Sequence, residues 1–231
     1  EQAKAALDSK NGGVLETANE TVGQYGIRNP LGGVAGWSEV YMNASLESYL
    51  KGYNDPRIKS YFNLAQDGRD KEGNIIKEVA GVKQLNSIEG EYKGVRQGTG
   101  VADNRYSTHS QTAITTGSKI IVMSAAEVWF LRAEAALRNY TSENVENCYK
   151  QGITVSFAQW DASGVSEYLE NTNKPAAYVD AFDKKFDADA PTSITPKWDE
   201  SAPLELKLER IITQKWLAIY PEGCEAWAEQ R

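Results

Sequence analysis

The sequence predicts a mainly α fold: helical hairpins packed together beside a loop-rich subregion that carries a small β-hairpin. Three observations carry that expectation. The segment after Ser124, AAEVWFLRAEAALRN, is apolar around most of its circumference, as a helix buried between neighbours must be. Leu204, Leu208, Ile211, Ile212 and Ile219 recur at helical spacing with Trp216 beside them, the strongest amphipathic pattern in the chain. Residues 1–119, by contrast, are broken by Gly, Asn, Ser and Thr over long stretches.

Taken in order, Gln2–Leu7 opens as a short helix. The runs NGG and GIRNPLGGVAG then make residues up to 35 a loop. A helix is expected over 37–51, with Val40, Leu46 and Leu50 on its apolar side and Tyr41 and Tyr49 filling the stripe. Gly52 and the Asn54-Asp55-Pro56 turn end it. Ile58–Ala65 and Ile75–Val82 read as strands around the turn-rich QDGRDKEGN, which gives a β-hairpin over 58–82. Residues 83–118 read as a long surface loop with one strand at Tyr92–Arg96, and a loop of that length in a compact domain is usually functional.

Ser124 is a good N-cap, and Glu127 three residues on completes a capping-box pattern. Asn139–Thr141 breaks this helix. Ser142 then caps a second one, with Val145, Cys148, Tyr149 and Val155 facing inward. The pair is a helical hairpin of tetratricopeptide proportions. Arg132 and Glu134 are expected to pair with the next helix. A short helix at Val165–Asn171, a Pro/Asp/Ser-rich excursion over 174–203 and the Leu204–Ile219 helix follow. Pro221-Glu222-Gly223 stops that helix, and Glu225 begins another. A single hairpin of this kind cannot bury both faces, so further helices upstream or a second chain are expected. The start at Glu1 rather than Met fits a processed or truncated boundary.

With 231 residues, 41% of them hydrophobic, the chain can bury a substantial core. Net charge is −7 and no basic run exceeds two residues, which excludes nucleic acid as a main partner. The apolar stretches Ile120–Met123 and Val128–Leu131 are far too short to span a bilayer. Cys148 and Cys224 form no CxxC pair and are expected as free thiols.

Enzyme motifs are missing. His109 is the one histidine, so HExxH is impossible. There is no Walker A loop, and Gly98-x-Gly100 lacks the third glycine of a dinucleotide fingerprint. The 32 carboxylates single out no hydrolase pair. Asp67, Asp70 and Glu72 fail calcium-loop spacing because Arg69 takes the third position. They and the acidic run Asp180–Asp189 are expected as solvated turns. No metal or cofactor is therefore expected.

Three stretches carry a family resemblance: NPLGG with YMNASLESYLKGYNDPRIKSYF, then IIVMSAAEVWFLRAEAALRN, then LERIITQKWLAIYPEGCEAWAEQR. Together they resemble the C-terminal part of the SusD/RagB-like (SusD-like) nutrient-binding lipoproteins of the Bacteroidetes outer membrane. The resemblance makes residues 1–231 a single C-terminal region, loop-rich over 1–119 and helical over 120–231, with N-terminal helical repeats outside this sequence. It implies a cell-surface protein that contacts the membrane only through an N-terminal lipid anchor outside this sequence. Such a protein would capture oligosaccharides without bond chemistry and pass them to a TonB-dependent SusC-like transporter.

Sugar capture needs exposed aromatic faces beside amides, carboxylates or Arg. Trp129, Trp160, Trp216 and Trp227 lie in helical patterns and are expected in the core. Trp37 and Trp198 lie near loops, while Tyr92, Tyr106 and His109 lie in the long loop beside Asp103, Asn104 and Arg105. The candidate ligand-binding set is Trp37, Tyr92, Arg105 and Tyr106. Two alternatives stand beside it: a helical-repeat scaffold for a peptide or protein partner, and an enzyme that degrades polysaccharide.

Overall fold

The structure, a computed structural model, describes residues 1–37, 40–99 and 104–229. In chain order they form α1 (Gln2–Leu7), β1 (Val22–Gln24), α2 (Pro30–Ala35), α3 (Ala44–Gly52), α4 (Ile58–Tyr61), β2 (Gly68–Arg69), β3 (Ile75–Ile76), β4 (Glu78–Val79), β5 (Val82–Lys83), β6 (Ile120–Met123), α5 (Ala125–Leu137), α6 (Val145–Gln159), α7 (Val165–Leu169), α8 (Leu204–Ala218) and α9 (Gly223–Ala228). The fold is mainly helical with small two-stranded sheets, as the sequence predicts. The chain divides into two compact units. A helical unit takes residues 1–25, 119–172 and 194–231, and a loop unit takes 26–118 and 173–193.

The helical unit is built on α5, α6 and α8, whose apolar stripes meet at Ala126, Phe130, Ala133, Tyr149, Ile153, Phe157, Ile211 and Leu217, each 1% exposed or less. Ser124 Oγ accepts from Glu127 N at 3.0 Å and caps α5. Asn144, not the expected Ser142, caps α6 by accepting from Asn147 N at 2.8 Å. Where the two helices meet, Gly152 leaves room for the Phe130 ring: a Cβ there would lie 2.7 Å from it. Arg132 reaches Glu143, just ahead of α6, at 2.6 Å, while Glu134 pairs within its own helix to Arg138. Tyr149 donates to Pro196 O at 2.6 Å and packs on Trp198, which the burial of that indole makes a core residue. Trp227, expected in the core, is 61% exposed on α9. The buried Lys215 ammonium bonds Glu225 and Glu229 and fastens α9 to α8, while Gln230 and Arg231 lie outside the described residues. β1 pairs antiparallel with β6 across about a hundred residues of chain, a pairing the sequence pattern does not announce.

The loop unit departs from expectation at four places, one of them the strand expected at Tyr92–Arg96, where only Val95 makes an isolated bridge, to Asn43. The helix predicted over 37–51 begins only at Ala44, because the backbone just before it is engaged elsewhere. Met42 N donates to Ser110 O at 2.7 Å, Met42 O accepts from Val95 N at 2.8 Å, and Asn43 Oδ1 accepts from Ser45 N at 2.7 Å as the cap. Ser38 and Glu39, inside the predicted helix, lie outside the described residues. The segment expected as the first strand of a hairpin over 58–82 instead starts as the helix α4. Asp55 Oδ1 accepts from Arg57 N at 3.0 Å, which turns the chain into that helix. Ile58, Tyr61 and Phe62 are all buried, at helical rather than alternating spacing. The strands that do form make two separate small hairpins, β2 with β3 and β4 with β5. Further upstream, the predicted loop contains α2, with Asn29 as N-cap and Pro30 in the first turn.

Candidate ligand-binding site in the loop unit

Short ladders assemble the loop unit's candidate face. Tyr41 bridges antiparallel to Gln111, Phe62 to Thr112, and Asn43 lies parallel to Val95. Asn63 N donates to Gln111 O at 2.9 Å, and Gln66 N donates to Thr108 O at 2.9 Å. Ala65 N donates to Glu91 O at 2.7 Å and brings Tyr92 alongside. Between these segments lies a cavity of about 640 Å³ lined chiefly by Asn63, Gln66, Tyr92, Thr108, His109 and Gln111. Phe62 and Leu64 add apolar surface, and Lys59, Asp67 and Ser107 complete the lining. Its size falls among small-molecule sites, at about 300–1,000 Å³.

A buried polar network holds the segments behind the cavity. Glu47, on α3, accepts from Lys93 Nζ at 3.0 Å and from Gly94 N at 2.7 Å. Lys93 also sits 4.7 Å from the centre of the Tyr178 ring, and Tyr178 donates to Gly94 O at 3.0 Å. Asp180 accepts from the hydroxyls of Tyr106 and Tyr178 and from the backbone of Phe182 and Asp183. Burial, with the Asp180 charge beside it, drives the Tyr178 phenol far up and keeps it a donor. The excursion 173–193 is thereby tied to the long loop, a link no spacing in the sequence reveals.

The four predicted residues stand in different local settings. Trp37 follows α2 with its indole 68% exposed. Its chain neighbour Tyr41 makes the bridge to Gln111 at the cavity. Tyr92 is half-buried in the cavity wall, and burial raises its phenol above the ordinary value, so the hydroxyl stays protonated. Arg105 is half-buried in a single 3₁₀ turn, Asn104–Tyr106. Tyr106 is buried with Ala65, Ile88, Ala181 and Phe182, so it holds the loop in place and presents no open face. Asp103 lies outside the described residues.

His109 is 3% exposed, packed edge-on to Tyr106 at 5.0 Å and stacked with Phe182 at 5.9 Å. Neither ring nitrogen has a hydrogen-bond partner among the described residues. Burial, helped by Lys93 and opposed by Asp180, lowers its pKa to about 4, so the ring is neutral at pH 7. Asp70 makes an exposed turn, as expected, whereas Asp67 and Asp180, expected in solvated turns, are 5% and 1% exposed because backbone and hydroxyl donors hold their carboxylates inside. Asp67 accepts from Ile88 N and Ser87 Oγ, and Asp70 accepts from Glu72 and Asn74. Among the described residues no group of His, Cys, Asp and Glu has metal-holding geometry.

Sequence reasoning found Tyr92 and missed the polar residues around it. The available signal was the pair of short polar runs NLAQ (63–66) and STHSQ (107–111), which the ladder lays side by side.

No curated protein matches this chain. Solved structures do. A SusD homologue from Bacteroides vulgatus is 40% identical with a TM-score of 0.84 over all of this chain and 45% of its own. A chitin-binding SusD homologue from Flavobacterium johnsoniae is 34% identical, TM-score 0.82, over 98% of this chain and 45% of its own. A SusD-like protein from Bacteroides thetaiotaomicron is 34% identical, TM-score 0.81, over 99% of this chain and 45% of its own. The chain thus spans less than half the length of these relatives. The SusD-like family model, "Susd and RagB outer membrane lipoprotein", matches residues 1–231, and the chain belongs to that family.

Proposed function

We propose that this protein captures glycans at the outer surface of the outer membrane and delivers them to a SusC-like TonB-dependent transporter, without chemistry on the sugar. The observation that carries the reading is the family match over the whole chain, together with a loop unit that offers sugar-binding chemistry. That unit combines an exposed indole at Trp37 with a polar cavity walled by Tyr92. An aromatic face takes the C–H side of a pyranose, and amides and hydroxyls take its hydroxyl groups. The chitin-binding relative supports a carbohydrate ligand.

In this reading Trp37, Tyr92 and Arg105 meet the ligand, and Tyr106 positions the loop that carries Arg105. The residues upstream of this region in a full-length protein would carry the remaining helical repeats and the lipid anchor. The test is intrinsic fluorescence of the full-length, lipid-free protein titrated with a panel of oligosaccharides, repeated on Trp37→Ala. A saturable change that the substitution removes is expected. Silence across the panel from a folded protein, with a peptide or protein recovered as ligand instead, would replace the glycan reading with that of a scaffold. New reducing ends released from a polysaccharide would replace it with that of an enzyme.

A further inference from the structure

The lining of the loop unit's cavity has a chemistry that separates one kind of sugar from another. Its two long segments are fixed to each other by backbone bonds, which set the positions from which their side chains reach a ligand. Thr108 Oγ1 is buried with no hydrogen-bond partner among the described residues. An unsatisfied buried hydroxyl costs about 1–3 kcal/mol, and a ligand hydroxyl that bonded it would recover that cost. The side-chain amides of Gln66 and Gln111 each offer a donor and an acceptor. These are neutral groups that suit a hydroxyl or an acetamido substituent.

The charged side chains of the described lining are Asp67, whose carboxylate is buried, and Lys59, which is exposed. Asp67 is 5% exposed, and its carboxylate is held by neutral donors, Ile88 N at 3.0 Å and Ser87 Oγ. No cation among the described residues pairs with it. A second negative charge brought into this cavity is repelled by that carboxylate, which is itself buried and only partly screened by water. His109 adds no compensating charge, and Lys93 is engaged by Glu47. Lys59 supplies the one ammonium in the lining, on an exposed and flexible stem.

We infer that this cavity receives one uncharged sugar ring of the captured glycan, stacked on Tyr92 and hydrogen-bonded by Gln66, Thr108 and Gln111, and that it turns away uronate and sulfated rings. The inference rests on the glycan-capture reading and adds to it both a place and a selectivity.

The experiment is calorimetric titration of the full-length, lipid-free protein with four oligosaccharides of matched length: maltohexaose, chitohexaose, an oligogalacturonate and a sulfated oligosaccharide. At least one neutral probe is expected to bind, with the anionic probes weaker by about tenfold or more. Gln66→Ala and Gln111→Ala should each weaken the neutral probe by about three- to tenfold, the effect of one hydrogen bond. Tyr92→Ala should weaken it further. Asp67→Asn removes the charge while keeping an acceptor oxygen, and it should narrow the gap between neutral and anionic probes. Anionic probes that bind as well as neutral ones, or an unchanged gap in folded Asp67→Asn, overturn the selectivity. Neutral binding that survives Gln66→Ala and Gln111→Ala but is lost in Trp37→Ala overturns the cavity while leaving glycan capture in place. Absence of binding to every probe by folded protein overturns capture itself. Should Tyr92→Ala fail to fold, the two exposed-side amide variants still decide the question.

Discussion

His109 gives the loop unit a defined response to acid. Its ring packs on Tyr106 and Phe182, and the charged groups facing it are Lys93 and Asp180. A folded pKa of about 4 against the ordinary 6.5 means that the unfolded chain binds a proton over that interval and the folded one does not. Stability therefore rises with pH through the window. The contribution is complete above pH 6.5 and is lost progressively as pH falls toward 4. The full difference amounts to about 3 kcal/mol, and about 2 kcal/mol of it is already gone at pH 5. The informative quantity is the difference between wild type and His109→Phe, which keeps a ring and removes the titration. Urea unfolding at pH 8, 7, 6 and 5, followed by far-ultraviolet circular dichroism, measures it. The wild type should lose about 2 kcal/mol more than the variant between pH 8 and 5. Parallel pH profiles would show that the folded state accepts a proton on His109, with Asp180 compensating it, and would refute the argument.

Three further outcomes follow from the packing. Arg57 and Asp55 form a fully buried ion pair at 2.6 Å, and Arg57→Ala leaves that carboxylate buried and unpaired, so thermal unfolding should report a loss of about 3–5 kcal/mol. Gly52 faces the backbone of Lys174, Pro175 and Ala176, which cannot rotate away as a side chain can. Gly52→Ala should cost about 1–3 kcal/mol in urea unfolding despite its better helix propensity, and a neutral result would show that the 173–193 return yields easily. Cys148 is buried, with its thiol pushed up to about 11 by burial and the neighbouring Glu143, whereas Cys224 is exposed. A thiol-specific chromogenic reagent at pH 8 should therefore modify one cysteine in the native protein and a second only in denaturant, and two fast equivalents would contradict the structure.

The helical half of the fold is legible because its information is local. The apolar residues of α5, α6 and α8 repeat at the helical period, and Ser124 marks a start. The loop half is not, because its elements are fixed by partners distant in the chain. α3 starts late on account of Ser110 and Val95. The same holds for one pairing in the helical unit, where β1 exists because of β6. Asp55 and Arg57 turn α4 into a helix too short for its period to stand out. The same reasoning divides the candidate site. Aromatic residues in a polar loop are conspicuous, so Trp37 and Tyr92 can be picked out. Whether such a ring faces outward is set by residues far away, and Tyr106 is drawn inward by Asp180, 74 positions on. Gln66, Thr108 and Gln111 are ordinary singly and become a lining only when Asn63–Gln111 and Gln66–Thr108 pair.

The division of the chain also bears on how specificity could be exchanged between members of this family. The loop unit is made of two stretches, 26–118 and 173–193, each of which begins and ends on the helical unit's chain. The shorter stretch carries Tyr178, Asp180 and Phe182, which brace the longer one from within. A chimera that transplants residues 26–118 alone would receive the cavity's walls without their buttress. Grafting therefore has to move both stretches at once, with joints after residues 25, 118, 172 and 193. Sequence change in this unit should likewise be paired, a substitution behind Tyr106 in one stretch drawing a compensating one in the other.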